Sequence, residues 1–219
     1  MNATCSVWKP VNIASSDLVR IAKKQICSNG KVGHAGTLDP FAEGVLVLCF
    51  GSKTKKVPDI MAMNKEYFGK IKLGIETDTL DSTGELYKTA KIPKLNTDAI
   101  VDALNKFKGK INQTPPAYSA LKLNGKRLYE YARSGIRIIK KPREIIIHSL
   151  DFIDYDKVDT ISFQVTCGSG TYVRSLASDI AKELGTVGYL DKLKRLRVGN
   201  YTKENCLSMD DLINGNIDK

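Results

Sequence analysis

The sequence reads as an α+β chain, and three observations predict this. Six consecutive apolar residues, Val45 to Phe50, stand between turn signals, as a fully buried strand does. From Glu66 to Leu73 the residues alternate, with Tyr67, Gly69, Ile71 and Leu73 on one side and Phe68, Lys70 and Lys72 on the other, the period of a half-buried strand. Leu18, Ile21, Ala22 and Ile26 share one helical face, and Ile100, Val101, Leu104 and Phe107 form a second stripe at helical spacing.

In chain order, Lys9-Pro10 ends a short N-terminal lead, Ser15-Ser16-Asp17 offers the cap of the first helix, and Asn29-Gly30 stops it. Gly33-His34-Ala35-Gly36 then forms a loop in which glycine allows tight turns, and Pro40 disfavours helical geometry at Asp39. Asp39 is thus held on irregular backbone beside a rigid strand, where it serves either as a turn former or as a reacting group. Lys53, Lys55 and Lys56 beyond that strand either meet phosphate or are solvated charge. Tyr67 is either a core aromatic or a platform on which a base stacks. The polar, acidic segment 76–84 reads as a connecting loop in which Asp81 is functional or turn-forming.

Thr97 is expected to cap the second helix, and Gly109 to end its stripe. The proline-broken stretch 113–122 leads into Lys126-Arg127-Leu128-Tyr129-Glu130-Tyr131-Ala132-Arg133, whose tyrosines interleave with cations as stacking and phosphate contacts require; a solvated amphipathic helix fits the same pattern. Glu144–Ile153 and Thr160–Cys167 read as strands. The Gly168-Ser169-Gly170-Thr171 turn then enters a helix with Leu176, Ile180 and Leu184 on one face. Tyr172 and Arg174 fall on its first turn, where a cation opposes the helix dipole, so Arg174 calls for an anionic partner. Leu190, Leu193 and Leu196, mixed with Lys and Arg, precede a last short strand near Val198–Thr202, and Ser208 caps a final helix.

With 219 residues and 42% hydrophobic content, one sizeable domain is the default. No run of eighteen apolar residues and no secretory leader is present, so a cytoplasmic protein with no membrane association is expected. The five cysteines form no CxxC pair and only two histidines accompany them, which argues against a disulfide framework or a structural zinc site. The net charge of +10 attracts a polyanion, nucleic acid foremost. Between Tyr118 and Arg143 the basic residues face only Glu130, so the charge is clustered.

Gly33-His34-Ala35-Gly36-Thr37-Leu38-Asp39-Pro40, with Gly44-Val45-Leu46 and Gly51-Ser52-Lys53-Thr54-Lys55, resembles the signature of the TruB family of tRNA pseudouridine synthases. Lys65-Glu66-Tyr67, the Thr77 to Gly84 loop, Tyr118-Ser119-Ala120-Leu121-Lys122, Leu128 to Arg133, Gly170-Thr171-Tyr172-Val173-Arg174 and Leu193-Lys194-Arg195-Leu196 are similar to further family motifs in the family order. The resemblance runs from Lys9-Pro10 to about Leu212. It implies a pseudouridine synthase catalytic fold, a mixed and mostly antiparallel central sheet with flanking helices, which the patterns above agree with and do not by themselves specify.

It implies, further, the isomerisation of a flipped-out T-loop uridine, at position 55 of tRNA, to pseudouridine by a monomer that uses neither metal nor organic cofactor. By resemblance Asp39 is the catalytic carboxylate and Arg174 its partner. Tyr67 stacks on the uracil, Tyr172 and Leu193 complete the pocket, and His34 contacts the region of the displaced nucleotide. The segment 113–143 matches the RNA-clamping insertion and carries Lys122, Lys126, Arg127 and Arg133 toward the T-arm. Residues 1–219 are expected to form a single catalytic domain without a C-terminal PUA domain. Asn12 stands where the family usually has glycine, and Asn tolerates the left-handed turn better than most residues. The alternative function is a tRNA-binding or folding chaperone without chemistry; a nucleoside or glycoside hydrolase is a further rival, distinguished by release of free uracil.

Overall fold

Two alternating stretches and one continuous apolar run lay down the strands around which the chain is built. The computed structural model describes residues 1–119, 122, 123, 125–136, 138 and 140–216, and of 122, 123, 126, 127, 129 and 133 the backbone alone. Strand β1 (Thr4–Lys9) is followed by helix α1 (Ser15–Gln25), the short strand β2 (Val32–His34) and β3 (Glu43–Phe50), buried from Gly44 onward. A 3-10 turn, Gly51–Lys56, leads into α2 (Val57–Ala62) and β4 (Lys65–Leu73), whose buried and half-buried residues alternate as the sequence predicts. The chain continues through β5 (Ile75–Thr77), β6 (Leu86–Thr89), α3 (Thr97–Asn105), β7 (Gly109–Gln113), β8 (Lys122–Leu123), β9 (Lys126–Arg127), α4 (Leu128–Arg133), β10 (Arg143–Tyr155) and β11 (Thr160–Cys167). It ends in α5 (Val173–Glu183), β12 (Gly188–Val198), β13 (Tyr201–Thr202), β14 (Cys206–Leu207) and α6 (Met209–Ile213). None of the described helices is long and apolar enough to cross a membrane.

One compact unit comprises Met1–Phe68, Thr166–Ser169 and Leu193–Lys219. In it β1 lies between β14, parallel, and β3, antiparallel; β3 also takes β2 antiparallel and β12 parallel. Val7, Leu46, Leu48 and Phe50 pack against Leu18 and Ala22 of α1 and Leu212 of α6, while Val45, Val47 and Cys49 form a second cluster with Ile60 and Val198. The mixed, mostly antiparallel sheet with helices on its flank is the architecture that the family resemblance implies. Gly44 shows how closely strands approach here: a Cβ on it would stand 2.2 Å from the Arg195 carbonyl oxygen, and its φ is +127°.

The second unit comprises Gly69–Val165 and Gly170–Lys192. Here β10 pairs antiparallel with β7, from Arg143 opposite Gln113 to Ile147 opposite Gly109, and β5 forms a hairpin with β6. Helix α3 packs against β10 and α5, burying Ile100, Ala103 and Leu104.

The helix starts differ by one residue from two sequence expectations. Ala14, not Ser15, precedes α1: the Asp17 carboxylate accepts the Ala14 N–H at 3.2 Å, and the Asp17 N–H donates to the Ala14 carbonyl at 2.9 Å. The Ser15 hydroxyl is engaged elsewhere, with Leu38. Asn96, not Thr97, caps α3, its side-chain oxygen accepting the Ala99 N–H at 2.8 Å. Ser208 does cap α6, with Asp211 answering as in a capping box. Asn12 adopts φ 63° and donates its N–H to the Pro40 carbonyl at 2.7 Å, so the left-handed turn survives without glycine. The stretch read only as a prelude to a short strand is instead the eleven-residue β12.

Candidate active site

In the first unit, Asp39 sits half-buried on the loop between β2 and β3. Glycine at 36, with φ +102°, turns the loop, and the Ala42 N–H closes it onto the Asp39 carbonyl at 3.1 Å. Ser15 fixes the preceding residue twice: its hydroxyl donates to the Leu38 carbonyl and accepts the Leu38 N–H, both at 2.9 Å.

Arg195 supplies the floor. It is 1% exposed, and its guanidinium donates to the carbonyls of Val45 at 2.7 Å, Gly36 at 3.1 Å and Thr37 at 3.3 Å. Lys9, fully buried, donates to the carbonyls of Pro10 and Ile13 at 2.8 Å and of Pro40 at 3.3 Å. Lys65 donates to the carbonyls of Met61 and Met63. Burial and the neighbouring Arg195 pull the Lys9 ammonium down to about 8, against the opposing pull of Asp39 and Glu43. Burial and Arg195 likewise bring Lys65 down to about 8.

Tyr67 points inward from β4 and is 8% exposed. Burial raises its phenol above the usual value although Arg195 works the other way by charge and hydrogen bond; Asp39 is near enough to add to the rise. The structure thus brings Asp39, Tyr67, Lys9 and Arg195 into mutual electrostatic reach. His34 ends β2 opposite Leu48, and Leu193 lies buried on β12 in the same unit.

Tyr172 and Arg174 belong to the second unit. Tyr172 is the residue that caps α5, and Arg174, 5% exposed, follows in the first turn. The anion that the helix dipole demands is Asp81, whose carboxylate lies 3.4 Å from Arg174 Nη1; Arg174 also donates to the carbonyls of Thr79 and Tyr118, each at 2.8 Å. Asp81 is itself oriented by the hydroxyls of Thr79 at 2.8 Å and Thr83 at 2.6 Å and by the Thr83 N–H at 3.0 Å. The segment read as a polar connecting loop therefore has a buried carboxylate as its centre.

A half-buried carboxylate on a loop stiffened by cations, with a protonated aromatic beside it, is a site for acid–base or nucleophilic chemistry on a polar substrate. Two family models match: that of the TruB family pseudouridylate synthase N-terminal domain over residues 24–173, and that of the tRNA pseudouridylate synthase B C-terminal domain over residues 174–217. The chain belongs to the TruB family. It is 44% identical over 217 residues to the tRNA pseudouridine synthase B of Clostridium tetani, covering 99% of this chain and 74% of that protein. The synthase of the same name from Francisella philomiragia is 46% identical over 199 residues, covering 90% of this chain and 66% of the relative.

Among solved structures, the crystal structure of a Cbf5-Nop10-Gar1 complex matches with a TM-score of 0.74 at 26% identity, over 96% of this chain and 53% of that one. An H/ACA RNP bound to a substrate RNA containing 2′-deoxyuridine matches with a TM-score of 0.70 at 23% identity, over 96% of this chain and 52% of that one, and shares the fold. The chain spans about half the length of these solved relatives.

Lys122 and Lys126 lie on β8 and β9, Arg127 ends β9, and Arg133 ends α4, while their side chains lie outside the described residues. Sequence reasoning missed Lys9 and Arg195 as parts of the site. The signal for Arg195 was its place beside Leu193 in a family-like block, and for Lys9 the turn that follows it.

Proposed function

We propose that this chain converts a T-loop uridine of tRNA, at position 55, to pseudouridine, with Asp39 as the catalytic carboxylate. The observation that carries the reading is the Asp39 loop itself, immobilised by Ser15, Lys9 and Arg195 with buried Tyr67 in its field. The bond between uracil N1 and ribose C1′ breaks, the base turns, C5 joins C1′, and the proton lost from C5 is balanced by one gained at N1. No atom is gained or lost overall.

Extruding the uridine costs a few kcal/mol, offset by aromatic and apolar contacts to the base, the role that the family resemblance assigns to Tyr67, Tyr172 and Leu193. Tyr67, kept protonated by burial, stacks on the uracil as a neutral ring. Arg174, held by Asp81, serves the substrate as a rigid donor. His34 contacts the displaced nucleotide, and Lys122, Lys126, Arg127 and Arg133 engage the T-arm phosphates. The chain acts as a cytoplasmic monomer and the reaction draws on no metal or organic cofactor.

The test is incubation of the purified chain with unmodified tRNA transcript and mapping of pseudouridine along it. The expected result is pseudouridine in the T-loop, abolished by Asp39→Asn with tRNA affinity retained. Free uracil in the products would identify a hydrolase, and RNA refolding without any pseudouridine would identify a chaperone.

A further inference from the structure

Two residues to which the mechanism above gives no task close on Tyr172. Gln113, the last residue of β7, is 1% exposed and turns its carboxamide onto the Tyr172 backbone. Its Oε1 accepts the Tyr172 N–H at 2.8 Å, and its Nε2 donates to the Tyr172 carbonyl at 3.1 Å. A carboxamide carries one donor group and one acceptor and so satisfies both backbone groups at once. Arg143, the first residue of β10, stands opposite Gln113 in the strand register. Its guanidinium carbon lies 5.0 Å from the centroid of the Tyr172 ring, and its Nη2 donates to the Gly170 carbonyl. Gly170 has φ +84°, and a Cβ there would already stand 3.4 Å from Arg143 Nη2, so glycine suits both the turn and the seat of the guanidinium.

The helix does not aim the tyrosine. Tyr172 caps α5 with extended backbone, φ −103° and ψ 108°, and its side chain makes no cap bond. Its backbone is set by Gln113 and its ring is backed by Arg143. The chain leaving Gln113 is fastened to the same helix, the Ser175 hydroxyl donating to the Thr114 carbonyl at 2.9 Å and Arg174 to that of Tyr118 at 2.8 Å.

We propose that Gln113 and Arg143 are positioning residues for Tyr172, one fixing its backbone and the other one face of its ring, so that the opposite face meets the extruded uracil. Standing at the two ends of the segment 113–143, they also join that RNA-clamping segment to the pocket wall. The inference rests on the reading of Tyr172 as a wall of the uridine pocket.

Single-turnover pseudouridine formation and tRNA affinity, measured on Gln113→Met, Arg143→Ala, Arg143→Lys, Tyr172→Ala and the Arg143→Ala, Tyr172→Ala double variant, test it. Gln113→Met and Arg143→Ala are each expected to slow the saturated rate about tenfold while affinity stays within about twofold. Arg143→Lys recovers most of the rate, because an ammonium keeps a cation over the ring. In the Tyr172→Ala chain, Arg143→Ala costs nothing further, a non-additivity that a merely structural role does not produce.

Unchanged rates, a loss confined to affinity, or full additivity with Tyr172→Ala each overturn the proposal. If Gln113→Met does not fold, the Arg143 series decides. A parent chain that makes no pseudouridine overturns the functional reading and the inference together, whereas an active parent with indifferent variants overturns the inference alone.

Discussion

The two units bury cations with different partners. In the first, Lys9, Lys65 and Arg195 spend their donors on main-chain carbonyls. In the second, Arg174 faces the Asp81 carboxylate at 3.4 Å, both side chains 6% exposed. A cation bound by carbonyls keeps its net charge and lends its potential to the carboxylates nearby, which for Lys9 in the first unit are Asp39 and Glu43. A cation bound by a carboxylate is neutralised and becomes a rigid donor. The comparison teaches that one residue type is used as a source of field in one place and as a strut in the other.

Variants that remove each cation sharpen the contrast. Arg195→Met leaves three buried carbonyls without their donor and is expected to cost about 4 kcal/mol in urea unfolding, the largest effect. Arg174→Met leaves Asp81 charged and buried, at about 3 kcal/mol. Here a second substitution helps: in an Asp81→Asn chain the same change costs about 1 to 2 kcal/mol less, measured as a double-mutant cycle. If Arg174 and Asp81 prove additive, the strut picture fails. Ser15→Ala, which releases Leu38 from both of its bonds, is expected to cost about 1 kcal/mol, read as a shift in the urea midpoint.

The last effect concerns pH. Lys9, Lys65 and Lys140 release their protons near about 8 in the folded chain, each lowered first by burial, whereas the unfolded chain holds them up to the ordinary lysine value of 10.5. The unfolded state then binds more protons, so stability rises as pH climbs through about 8. Cys5, Cys49 and Cys206 act with the opposite sign, since burial raises all three thiols above the ordinary 9.0, Cys5 to about 11. The unfolded chain loses those protons first, and stability is eroded above 9.0. Denaturation midpoints across the alkaline range are expected to show a rise that levels off as the thiols titrate, and Cys5→Ala is expected to prolong it.

Much of this was legible where one physical rule acted alone. The β4 alternation and the stripe of α5 follow from burial of one face and the apolar run of β3 from burial of both, and the structure repeats them. Strand β12 was not legible, because two rules conflict in it. Its buried positions run 188 and 190, then 193 and 195, so the period of two slips, and one inward position carries an arginine. Lys9 was hidden for the same reason: a lysine with no exposure looks, in sequence, like any surface cation. The Asp39 loop was legible through its motif, and Asp81 was left open between function and turn because its tie to Arg174 spans a distance in sequence that no local pattern reports. The caps missed by one residue at Ala14 and Asn96 reflect competition among adjacent polar side chains, such as the claim of Leu38 on Ser15.

The bond from Arg195 to Val45 joins residues 150 positions apart. During synthesis the loop bearing Asp39 emerges well before the guanidinium that fastens it. A nascent or prematurely terminated chain therefore carries the motif without its finished shape. The finished shape of that loop depends on contacts of high sequence separation.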